Sequence, residues 1–167
     1  MAWSRQITSR DAYTIACPSG DNCPKAKGPD LDFGSSAVLA DFPGGKRILV
    51  AGQKSGVVTA LDPDRGGKIL WQKRVGAGGK LGGVQWGIAA DQDNVYVAVS
   101  DVRYSVVPRG TPGAQASVLN PKISFLFDSN TGGGISALGS IPEKWFGALP
   151  IPAAAMSRGA IQPNPPQ

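Results

Sequence analysis

KRILVAGQKSGVVTALDPDRGGKILWQKRVG, residues 46–76, reads as three short strands joined by two tight turns. Residues 46–53 pair Ile48 and Val50 with Leu49 and Ala51 in a β-branched run, and Lys54-Ser55-Gly56 is a turn signal. Residues 57–61 are strand-like again. Asp62-Pro63-Asp64-Arg65-Gly66-Gly67 then turns the chain, Pro presetting φ and Gly supplying positive φ. Residues 68–75 return as a third strand carrying Trp71. Three such strands make an antiparallel meander, which cannot bury both faces alone and needs further sheets against it.

Composition agrees with that reading. The chain has 167 residues, with 23 Gly and 14 Pro beside a charged fraction of 17%. Gly and Pro punctuating short Val/Ile/Leu runs point to an all-β protein rich in turns. No run of 18 apolar residues occurs, so no membrane span is expected. The first residues, MAWSRQITSRDAYTIA, lack the apolar core of a signal peptide. Either the protein stays in the cytoplasm or the chain begins downstream of its true start. The net charge of +5 is spread along the chain without a basic run. That argues against nucleic-acid binding, which needs clustered basic residues with aromatics among them.

Cys17 and Cys23 flank the turn-rich Pro-Ser-Gly-Asp-Asn. The spacing allows a disulfide, with two free thiols as the alternative. A zinc site is disfavoured because the chain has no His and no other Cys. A disulfide would imply an oxidising compartment.

Further along, residues 84–90 read as a strand carrying Gln85 and Trp86, Asp91-Gln92-Asp93-Asn94 as a turn, and residues 95–99 (VYVAV) as another strand. The Gly-rich VGAGGKLGG stretch around residues 75–83 has neither a following helix nor a GK[ST] and is not a P-loop. Residues 101–131 lack periodicity and read as an irregular insertion. Gly133-Gly134-Ile135-Ser136-Ala137-Leu138 then echoes Gly56-Val57-Val58-Thr59-Ala60-Leu61, and Trp3, Trp71 and Trp145 recur at comparable spacings. The expected fold is a partial β-propeller of four-stranded antiparallel blades. Its parts are an outer strand of a preceding blade at 2–7, one blade at 36–75, a second at 84–149 interrupted by 101–131, and an irregular tail at 150–167.

The run ALDPDRGGKILW, residues 60–71, resembles the repeat motif of the pyrroloquinoline quinone (PQQ) dehydrogenases, in which a Trp docks adjacent blades. GPDLDFGSSAVLADFPGGKRILVAGQKSGVVTALDP followed by LGGVQWGIAADQDNVYVAVSD resembles the later blades of polyvinyl-alcohol-dehydrogenase-type quinoproteins. The resemblance covers most of residues 2–100 and more weakly 132–167. It implies PQQ as cofactor, with Lys54 reaching the quinone oxygens and Gln85 and Trp86 matching an Asn-Trp pair that contacts it. Gln in place of Asn lengthens that arm. Against these roles, Lys54 also reads as a solvated turn lysine, and Trp86 as packing between blades. Asp30 and Asp32, two apart, suit an acid/base pair or a Ca²⁺ site, and equally a self-capping Asx turn.

By the same resemblance, the catalytic Asp and the calcium ligands lie on blades preceding AWSRQ. The full-length family would act in the periplasm on a small-molecule alcohol and pass electrons to an acceptor, while this chain alone would be an inactive fragment. Two other readings compete: a non-enzymatic propeller-repeat binding or scaffold module, and a truncated product without function.

Overall fold

The computed structural model describes residues 2–14, 17, 21–42 and 45–139. These residues are all-β, and every strand pairing is antiparallel. The first sheet is the expected meander in the order β1-β2-β3-β4: β1 Val38–Phe42, β2 Lys46–Gly52, β3 Val57–Asp62 and β4 Lys68–Arg74. Val50 stands opposite both Val38 and Ala60, and Val50, Val58 and Ala60 are fully buried. The β3–β4 turn is held as its composition demands. Asp62 Oδ1 accepts from the backbone N–H of Asp64 and Arg65 at 3.0 and 3.1 Å, and Gly66 and Gly67 take φ of 62° and 68°. Its one helical element is the 3₁₀ turn Pro63–Arg65. Among the described residues no helix is long and apolar enough to cross a membrane.

The second sheet joins β5 Ile88–Ala90 and β6 Asn94–Val99 to a later strand, Gly134–Gly139, with β6 in the centre. Val84, Val95, Val97 and Val99 of this unit share one apolar core with Ala40, Phe42, Ile48, Val50, Val58 and Ala60 of the first. The two sheets therefore pack face to face, as consecutive propeller blades do. The strand expected over 84–90 is confined to its last three residues, because Gly87 at φ 104° breaks the extended run.

Residues 101–131 differ from the irregular stretch expected. They hold a small third sheet of β7 Tyr104–Pro108, β8 Gln115–Ala116 and β9 Ile123–Phe127, ordered β7-β9-β8, and the late strand Gly134–Gly139 is β10. Tyr104 lies opposite Phe127 and packs edge-on to Phe125 at 5.4 Å between ring centres. Short strands ordered by such cross-strand aromatic pairs leave little period-2 signal.

Residues 2–7 do not form the outer strand expected of them, for they join no ladder. The segment is held by its side chain instead. Trp3 Nε1 donates to the carbonyl of Pro63 at 3.1 Å, and the indole covers Gly67, where a Cβ would come within 2.5 Å of the ring. Trp71 in turn shares a groove with Ala137, Leu138 and Gly139, the segment echoing Ala60-Leu61-Asp62. Trp145 and the 150–167 tail lie outside the described residues.

Candidate functional site

Lys54 follows the end of β2, in a turn closed by Gly56 N–H donating to Gln53 C=O at 2.9 Å. Its backbone N–H donates to the Asp32 carbonyl at 2.9 Å, and its ammonium donates to Asp32 Oδ2 at 2.9 Å and Asp30 Oδ1 at 3.4 Å. The lysine side chain is largely buried. Burial alone would depress its pKa. The hydrogen bond to Asp32 and the charges of both carboxylates outweigh that and raise it. Asp32 is held below the usual carboxylate range, chiefly by the hydrogen bond from Lys54. Lys54 is therefore a fixed cation.

Asp30 and Asp32 thus converge on one ammonium. The convergence is built by Asp11, whose two carboxylate oxygens accept from the N–H groups of Asp30 and Leu31 at 2.7 and 2.6 Å. Asp30 takes the left-handed backbone, φ 64°, that this grip requires. Among the described residues no three side chains gather as metal ligands.

Gln85 and Trp86 lie on a segment that begins beside the Lys54 turn, where Val84 N–H donates to Gln53 C=O at 3.1 Å. Gln85 is fixed by Nε2 donating to Gly82 C=O at 3.1 Å, and the backbone of Gly34 packs against it. Trp86 is 80% exposed, so it is not packing between blades in these residues. A cavity of about 350 Å³ is lined by Gln53 together with Arg5, Thr8, Asp11, Leu31 and Phe33.

The Gly-rich loop after β4 presents N–H groups as an anion cradle does, yet the chain fills it. Asp101 accepts from Ala77 and Gly78 at 2.8 and 3.0 Å, and Gly79 donates to Lys54 C=O at 2.9 Å. Sequence reading missed Asp11 and Asp101, which lie 19 and 24 residues from the backbone groups they hold. No local pattern marks either. Cys17 and Cys23 are joined as a disulfide with Cα atoms 5.6 Å apart.

The class defined by these features is an antiparallel, blade-built β protein in which a lysine is clamped by two carboxylates and an exposed indole lies on the segment that begins beside it. No family model and no solved structure matches the chain. A polyvinylalcohol dehydrogenase of a Pseudomonas species is 49% identical over 100 residues, which cover 60% of this chain and 16% of that protein. A polyvinylalcohol dehydrogenase of Sphingopyxis sp. (strain 113P3) is 37% identical over 118 residues, 68% of this chain and 18% of that protein. The chain is a relative of these dehydrogenases and spans less than a fifth of their length.

Proposed function

We propose that the chain supplies one wall of a PQQ site in a larger quinoprotein dehydrogenase that oxidises alcohol groups, those of polyvinyl-alcohol-like polymers among them. The observation that supports this reading is the bond between Val84 N–H and Gln53 C=O, which starts the Gln85-Trp86 segment beside the Lys54 turn. The residues suit such a ligand. An ammonium has three N–H donors, of which Asp30 and Asp32 take two, leaving one for a quinone oxygen. The exposed Trp86 indole offers a face to a planar ring. With both carboxylates ionised the cluster sums to −1, so Lys54 offers a charge-assisted hydrogen bond and no surplus positive charge. When bound, PQQ supplies the two-electron acceptor for alcohol oxidation.

In this reading the proton-abstracting Asp, the calcium ligands and the contacts to the electron acceptor come from other parts of the larger protein. A periplasmic location is part of the same proposal, and the disulfide supports an oxidising compartment. Alone, the chain is inactive. One hydrogen bond to a charged group contributes about 1.5–3 kcal/mol, less than the several kcal/mol lost on immobilising a ligand. The scaffold reading is favoured by one observation, that Lys54 is already paired with two acids.

Titrating the chain with PQQ while following tryptophan fluorescence separates the two. The quinone-site reading expects weak quenching, with a Kd on the order of 1 mM, further weakened about tenfold in Lys54→Met, equivalent to about 1.4 kcal/mol. Quenching unchanged by that substitution favours the scaffold.

A further inference from the structure

We propose that Tyr13, Lys27 and Lys80 form a docking surface for an acidic protein partner. Three separate segments meet there. The Lys27 ammonium lies 4.4 Å from the centre of the Tyr13 ring and that of Lys80 5.1 Å. Both lysines are exposed; Lys25, two residues before Lys27, and Arg10, three before Tyr13, are exposed as well.

What sets this pair apart is that two cations share one ring. Among the described residues, Arg47, Lys54 and Arg65 each have a carboxylate at ion-pair distance, whereas Lys27 and Lys80 have none. Two like charges around one ring repel each other. An exposed cation–π contact returns only about 0.5–1 kcal/mol apiece. Carboxylates from a partner would relieve that repulsion, while Tyr13 supplies the rigid aromatic contact that interfaces favour.

The scaffold beneath is braced on both sides. Gly28 N–H donates to Ala12 C=O at 2.7 Å, and the Cys17–Cys23 disulfide ties the loop between them. Lys80 sits in the loop that Asp101 and the Lys54 carbonyl hold by its backbone. Charges presented on braced backbone lose less conformational freedom when a partner binds. The patch is compact and lacks the row of stacked aromatics along a basic groove by which single-stranded nucleic acid is held. An acidic protein surface is the better match.

The test uses the whole chain and a fluorescently labelled hexaglutamate peptide, read by anisotropy. Saturable binding is expected at about 20 mM salt, weakening about tenfold by 150 mM as screening sets in. The double variant Lys27→Glu/Lys80→Glu should lose at least about tenfold in affinity. Lys68→Glu/Lys122→Glu, the same charge change placed elsewhere on the surface, should stay within about threefold. Equal loss in both doubles would reduce the effect to net charge and overturn the proposal, as would the absence of saturation at low salt. A single-stranded oligonucleotide binding more tightly through the same two lysines would also overturn it, by assigning the patch to nucleic acid.

Discussion

Gly83→Ala is expected to cost about 3 kcal/mol of stability. Gly83 has φ 72°, and a Cβ there would overlap the carbonyl oxygen of Lys54. Neither group can yield easily. Lys54 C=O accepts from Gly79, and Gly83 C=O accepts from Ser100 at 2.9 Å, so the clash is between two pinned backbones. Gly45 provides the control. Its φ is 71° but nothing lies within 4 Å of the added carbon, so Gly45→Ala should cost only the backbone preference, about 1 kcal/mol. Urea unfolding of the two variants measures the difference. Equal costs would mean that the close approach of the Gly-rich loop to the Lys54 turn is absent.

Lys54→Met should also be damaging, and its cost should depend on pH. Removing the ammonium leaves Asp30 and Asp32 facing each other across the space it occupied. Asp30 is mostly buried and Asp32 mostly exposed, so the loss falls between the surface and buried limits, about 1–2 kcal/mol at neutral pH. The sign follows from the two shifts. The Asp32 pKa is lowered by folding, so its contribution is present above the ordinary carboxylate range and is lost as pH falls through the lowered value. The Lys54 pKa is raised, so its contribution is complete below the ordinary lysine value and is lost as pH rises through the raised one. The gap between wild type and Lys54→Met should therefore be widest through the neutral range and narrow toward pH 3. Urea midpoints measured at pH 7 and pH 3 test this. A gap as wide at pH 3 as at pH 7 would mean that the loss is not one of charge.

The fold was legible where sequence and backbone share a local cause. The β3–β4 turn carries its own instructions in Asp62, Pro63 and the two glycines, and β2, β3 and β6 bury their β-branched residues as their runs predict. The third sheet was not legible, because Tyr104, Phe125 and Phe127 acquire their order from each other across strands. Residues 2–7 misled for another reason: Trp3 acts through one indole contact and needs no ladder. At the site, Lys54, Gln85 and Trp86 could be singled out by motif. The acids that hold Lys54 stood in the sequence as an ambiguous pair. Their convergence depends on Asp11, whose partners are distant backbone N–H groups that no spacing rule reveals.

The central claim is that Lys54, Gln85 and Trp86 face one planar anionic ligand, and amide chemical-shift mapping of the chain against PQQ addresses it most directly. The account predicts that the largest shifts fall on residues 53–55 and 83–87 together, including the Trp86 indole N–H, and that they vanish in Lys54→Met. Shifts confined to Tyr13, Lys27 and Lys80 would show an anion held by surface charge alone and would contradict the quinone site.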